Sequence, residues 1–336
     1  MALLAVVWLA GCDDGGIGAA ADRAERAAKS GDFAAARAAA EQAVTLAEAK
    51  YGAGHFKTAT ALSLLGEARL AEGALAEAEA PLTRALAIRE REFRSGHGLV
   101  ATSLNNLGIL YRLTGRAAEA KPLIERAIAI DEQASRPPLD HLAVGYDNLA
   151  ETYRALGRAA EAEPLYRRAL DLAERAHGRD HPSTGAVLNN LALFYRAQER
   201  FAEAEPLLER ALAIDEKASG PDHPDVAVAL YNLASLRRAQ GREASAAPLL
   251  ERALAIREKR FGAGDDRTAR VRSALVENLT DIAVASMEQE RWAEAEAALK
   301  RLVVLARDDP DEAAGIREVL GQVLRRQGKD GEAAPK

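Results

Sequence analysis

Asn106, Asn148, Asn190 and Asn232 stand 42 residues apart. Gly31, Gly73, Gly115, Gly157 and Gly241 fall on the same grid, with Glu199 in the one slot that breaks it. The stretch that begins Asp180-His181-Pro182 is in register with the one that begins Asp222-His223-Pro224. A period between about 20 and 50 residues means a stack of supersecondary units, each too small to bury its own apolar face.

Each period carries two helical patterns. Leu188, Leu191, Ala192 and Tyr195 recur at i, i+3, i+4 and i+7, an amphipathic first helix. After a short turn at residues 199–200, Phe201, Ala204, Leu207, Leu208, Ala211, Leu212 and Ile214 mark a second. Small residues, Ala192, Ala204 and Ala211, stand where two helix axes must come close. The grid places first helices at 56–72, 98–114, 140–156, 183–198 and 225–240, and second helices at 75–92, 117–134, 159–176, 201–218 and 243–260. Gly just past one helix and Pro just before the next mark the links at 178–181 and 220–224. Pro164, Pro206 and Pro248 predict that the second helices start late or bend, because proline lacks a backbone donor.

On these residues the unit resembles a tetratricopeptide repeat, and closely the 42-residue variety of kinesin light chains and many bacterial proteins. The Asp-His-Pro links, Leu-Asn-Asn-Leu-Ala at 188–192 and Glu-Ala-Glu-Pro-Leu at 203–207 match the longer variety. The resemblance covers residues 19–328. It implies an all-α fold, a right-handed superhelical solenoid of about seven antiparallel helix pairs. It also implies a non-catalytic scaffold whose first helices line a concave, protein-binding surface. Such scaffolds serve many ends, so the fold does not name a partner.

Two irregularities break the grid. His141 lies two positions off the column of His97, His181 and His223, behind Pro137-Pro138. Ile282-Ala283 follows Leu233-Ala234 by 49 residues, so the helix of about 268–289 gains two turns and is expected to project. Trp292 then opens its partner, where Leu302 replaces the Ala211 and Ala253 of earlier units and predicts packing that loosens or rotates. A lone apolar stripe over 311–327 reads as a capping helix, and 329–336 as a disordered tail.

Hydrophobic residues make up 48% of the chain but aromatics only 4%, a composition of stacked amphipathic helices. The formal net charge of −6 argues against a general nucleic-acid binder. The single cysteine, Cys12, excludes an intrachain disulfide or a cysteine metal cluster. Ala2–Ala10 is apolar, too short to span a membrane, and suits a secretion signal. Leu9-Ala10-Gly11-Cys12 resembles a bacterial lipobox, although no Lys or Arg lies near Met1. That resemblance implies a signal over 1–11, lipidation at Cys12, a spacer over 12–18 and a place in the cell envelope outside the cytoplasm. A cytoplasmic scaffold is the alternative.

If the first helices line the inner surface, register exposes three rows there. One is Asn105, Asp147, Asn189 and Tyr231; the next includes Glu151; the third is Arg112, Arg154, Arg196 and Arg238. Arginine forks suit carboxylates and carbonyls, and carboxamides pair with an extended backbone. The rows therefore read as a groove for a protein or peptide, with a basic stripe that favours an acidic segment. The alternative is that these arginines only solvate helices already rich in Arg. Asn106, Asn148, Asn190 and Asn232 read as structural bridges between adjacent helices, and Tyr111, Tyr153 and Tyr195 as core.

His181 and His223 sit one repeat apart, on the order of 20 Å by helix diameter, so they cannot share an ion whose ligands lie about 2 Å away. No metal site, cofactor site or catalytic motif is expected. The functional reading is a protein-binding scaffold. The alternative is a repeat protein that assembles into an oligomer through its end units.

Overall fold

The computed structural model describes residues 16–93, 96–307 and 309–329. The signal segment over 1–11, Cys12 and residues 330–336 of the tail lie outside them. Fifteen helices and no strand occur among the described residues. The chain divides into two compact units, residues 1–179 and 180–336.

The first unit holds α1 (Ile17–Lys29), α2 (Phe33–Tyr51), α3 (Phe56–Glu72), α4 (Leu75–Glu92), α5 (Gly98–Leu113), α6 (Ala117–Glu132), α7 (Leu139–Ala155) and α8 (Ala159–His177). The second holds α9 (Pro182–Ala197), α10 (Phe201–Ser219), α11 (Pro224–Ala239), α12 (Glu243–Phe261), α13 (Asp266–Glu288), α14 (Trp292–Leu305) and α15 (Pro310–Arg326). Odd and even helices up to α14 form the antiparallel pairs expected from the period. The spacer expected over 12–18 is shorter, because α1 already begins at Ile17, whose side chain is fully buried.

Within each unit the first helices of consecutive pairs also touch one another, α3 on α5, α5 on α7 and α9 on α11. Small residues also bring the helices of a pair close together. The α2 helix buries only alanines, Ala36, Ala40, Ala43 and Ala47. At Gly108 the approach is closer still, since a Cβ there would fall 2.4 Å from Ile124.

The second helices begin at Ala159, Phe201 and Glu243, ahead of Pro164, Pro206 and Pro248 rather than after them. Each proline is the sixth residue of its helix, so it forfeits one bond to the carbonyl four residues back, a smaller loss than the whole preceding turn.

Repeating side-chain devices hold the links. His55, His97, His181 and His223 each cap a first helix, Nδ1 accepting the backbone N–H two residues on at 3.1–3.3 Å. Asp265 takes the same place on the grid and accepts from Arg267 at 2.9 Å. These histidines are helix caps. The shifted His141 lies inside α7, whose N-cap is Pro138. In the turns, Arg116, Arg158 and Arg200 lie over the rings of Tyr111, Tyr153 and Tyr195 at 3.8, 4.7 and 4.3 Å. Tyr195 is buried as expected, whereas Tyr111 and Tyr153 are half-buried. On the second helices Arg84, Arg126 and Arg252 reach back to Glu48, Glu90 and Glu216 at 2.6, 2.7 and 2.5 Å, a ladder of equivalent rungs.

The long α13 has 23 residues against 16 in α11. Leu302 on α14 is buried, in a core that includes Leu299 and Val323 of α15. That final helix covers the last pair. Glu296 secures it by accepting from Gln327 at 2.9 Å and from Lys329 at 2.7 Å, while Lys300 approaches at 2.6 Å. Lys300 and then Lys329 hold the Glu296 carboxyl down at about 2, against its burial. Lys329, assigned to a disordered tail by sequence, is therefore part of the cap.

Glu199 and Glu290 turn the chain at φ 59° and 55°, in the left-handed conformation that Gly115, Gly157 and Gly241 adopt at other turns. A side chain in that region is strained. Glu199→Gly is expected to stabilise the second unit by about 0.5–1 kcal/mol, read as a higher urea midpoint. An unchanged or lower midpoint would refute this account of the broken grid.

Candidate functional site

The inner positions divide between the two units. In the first, Asn105 and Asp147 are half-buried on α5 and α7. Asn105 Oδ1 accepts from Asn148 Nδ2 at 3.1 Å, so one member of the supposed peptide-binding row is tied to the next first helix. Glu151 gathers the charges nearby. It accepts from Arg154 at 2.7 and 3.2 Å, takes the hydroxyl hydrogen of Tyr166, and lies 3.7 Å from Arg112. Burial pushes the Glu151 carboxyl up, but Arg154, Tyr166 and Arg112 together hold it below its ordinary value. Two arginines of the expected basic stripe are thus already matched within the chain. Arg154 stays half-exposed, while Arg112 is largely covered.

In the second unit Asn189 Oδ1 accepts from Asn232 Nδ2 at 2.7 Å. Tyr231 packs against the core beneath α11. Arg238 reaches Glu277 at 3.3 Å and Asp281 at 3.5 Å, both carboxylates mostly exposed on α13. Such exposed pairs are worth little in water. Arg196 is half-buried and has no carboxylate within 4.0 Å among the described residues.

Asn148 and Asn232 thus bridge consecutive first helices, and Asn106 Nδ2 bonds Glu67 Oε1 at 2.7 Å. Asn190, in α9, is half-buried.

Sequence reasoning passed over a buried polar node at Asn106. Glu67 on α3 is 6% exposed and Arg89 on α4 is 1% exposed. Arg89 Nη1 donates to Ser103 Oγ at 2.7 Å and to the Leu99 carbonyl at 3.2 Å. Burial pushes the Glu67 carboxyl up to about 7, against the pull of Asn106 and of Arg89. Burial likewise pulls the Arg89 guanidinium down to about 10, against Glu67. The available signal was Glu67 itself, a charge set between Leu64-Leu65-Gly66 and Ala68 in an apolar run.

No group of three or more His, Cys, Asp or Glu among the described residues is placed to hold a metal ion. No described helix is long and apolar enough to cross a membrane.

A family model described as tetratricopeptide repeat matches residues 18–91, 82–133, 141–217 and 183–259, and a second of the same description matches 280–336. No curated protein is similar enough to count as a match. Among solved structures, BtubC (BKLC) from P. vanneervenii is similar at 26% identity, over 74% of this chain and 94% of that one, with a TM-score of 0.53. Kinesin light chain TPR-like repeats from Podosopora anserina share 26% identity over 62% of this chain and 98% of that one, TM-score 0.49. A signal transduction ATPase with numerous domains and a tetratricopeptide repeat sensor, from Pyrococcus horikoshii, matches at 13% identity over 93% of this chain and 45% of that one, TM-score 0.62.

Glu67 favours its protonated form in the fold. Its contribution is full below its unfolded value of about 4.3 and is lost as pH rises through about 7. The first unit should therefore lose stability across that window, and Glu67→Gln should flatten the slope even if it lowers stability overall. Urea unfolding at several pH values reads this, and an unchanged slope in the variant would remove Glu67 as its cause.

Proposed function

We propose that this chain, which belongs to the tetratricopeptide repeat family, is a scaffold that holds a protein partner on the face formed by its first helices. Repeat arrays of this family mediate protein–protein interaction. The partner presents an acidic segment, and the arginines of the second unit receive it.

One observation carries that reading. Arg112 and Arg154 face a shared carboxylate, Glu151, whereas Arg196 has no carboxylate within reach among the described residues and Arg238 only two well-solvated ones. An incoming carboxylate must displace a buried, hydrogen-bonded partner in the first unit, but only water or exposed side chains in the second. Guanidinium forks make bidentate bonds to such a group. Self-assembly through the end units has less support, since α15 already covers α14.

Attachment to a membrane through Cys12 is part of the same proposal, and Leu9-Ala10-Gly11-Cys12 supports it. Lipid on that residue would hold the scaffold at a surface, outside the cytoplasm.

Cross-linked capture from the host's membrane fraction tests both parts. The full chain is expected to capture a partner that the Arg196→Glu, Arg238→Glu double variant loses by at least ~10-fold, about 1.4 kcal/mol. An Arg112→Gln, Arg154→Gln control should retain it. Retention by the charge-reversed variant, with native helicity, would sink the acidic-segment reading. Separately, Cys12→Ser is expected to move the protein from the membrane to the soluble fraction; no change in partition would refute the anchor.

A further inference from the structure

Two successive niches in the first unit are copies of one another, displaced by the 42-residue period. The earlier lies between α3, α4 and α5, and the later between α5, α6 and α7. In the earlier one Arg89 fills the space, and its guanidinium bonds Ser103 and the Leu99 carbonyl. Moving along the sequence by one period replaces Arg89 by Asp131, Ser103 by Gly145 and Leu99 by His141. Both side chains that met in the earlier niche have become shorter. What remains is a small cleft of about 20 Å³, open to solvent, with room for one water-sized group and lined by Thr102, Asn105, Asn106, Asp131, His141 and Gly145 among others.

The Asp131 side chain on its wall is only 8% exposed. The one basic side chain within 4.0 Å of it among the described residues is His141, whose Nδ1 lies at 4.0 Å, beyond hydrogen-bond length. No side-chain hydrogen bond to its carboxylate occurs among the described residues. A buried carboxylate without donors is costly. Burial pushes it up to about 6, with His141 pulling down and Asp140 pushing up.

The rest of the polar lining also offers acceptors. Asn105 Oδ1 has a second lone pair beyond its bond from Asn148. Thr102 Oγ1 spends its hydrogen on the Gly98 carbonyl at 3.2 Å and keeps its lone pairs. Asn105 and Asn106 also bring amide donors to the lining, but the Asp131 carboxylate disfavours anions in the cleft and favours a cationic ligand rich in donors. A metal ion is poorly served, as no three ligating side chains converge. An ammonium group has three donors and no acceptor. A cation already occupies the equivalent niche one repeat earlier, supplied there by the chain itself.

We propose that the cleft between α5, α6 and α7 binds a primary alkylammonium group, either a free small amine or a lysine side chain, on Asp131 with Asn105 and Thr102 as further acceptors. Small-molecule probes make this independent of whether the first helices dock a protein.

The full chain is titrated by calorimetry with n-butylammonium, with Nα-acetyl-lysine N-methylamide, and with the uncharged Nα-acetyl-norleucine N-methylamide. Saturable binding of an ammonium probe, absent for the norleucine compound, is expected. Preference for the lysine compound identifies a peptide side chain as the ligand, and preference for n-butylammonium a free amine. Asp131→Asn should weaken binding at least tenfold at unchanged helicity. Asp131→Arg, which places the residue of the earlier niche here, should abolish it at unchanged helicity. If neither ammonium probe saturates the native chain, or if Asp131→Asn binds them as well as the native protein does, the proposal is overturned.

Discussion

Helix axes in this chain approach one another over alanine and glycine, and everything else is arranged around that closeness. An alanine buries little area, so a single pair gains little from its own interface. Burial becomes sufficient only when each pair is covered on both sides. The chain meets this requirement by repetition in the middle and by a different helix at the end. There α15 supplies Val323 and Leu324 to the last pair, and Glu296 ties its C-terminal turn down.

Close packing leaves little water between helices, so polar residues there need partners from the neighbouring repeat. Asn148 finds Asn105, Asn232 finds Asn189, and Asn106 finds Glu67. The same demand shapes the surface available to a partner. In the first unit Glu151 sits among Arg112, Arg154 and Tyr166 and uses up much of their capacity. In the second unit the equivalent arginines face solvent-exposed carboxylates or none within reach. Two inner surfaces built from one repeat thus differ in what they can still bind.

Much of the architecture was legible because helix starts, turns and close contacts recur in register. Even the broken slot at Glu199 carried information, since its backbone keeps the left-handed turn that glycine takes elsewhere. Capping by His181 and His223 is readable in principle from their place just ahead of Pro182 and Pro224, although histidines at two equivalent links first suggest metal ligands. The prolines within the second helices do not delay the helix starts, because one lost donor is a smaller cost than a lost turn. Site electrostatics were harder to read. Whether Arg112 reaches Glu151 depends on side-chain reach between two helices, which register alone does not give. The Asp131 cleft came from a column that was in view, where Arg89 gives way to Asp131, but its meaning needed the space that Arg89 fills.

The rungs between second helices have a consequence for how such a chain can change length. Arg126 to Glu90 and Arg252 to Glu216 each span 36 residues, so every rung closes onto the helix pair just before it. Removing or duplicating a period that carries such a rung would rejoin arginine to glutamate at the same spacing. The buried residues lack that freedom, because Arg89 needs Ser103 and Glu67 needs Asn106. Recombination can therefore slide the outer ladder by whole repeats, while the first unit's interior fixes which repeat must follow which.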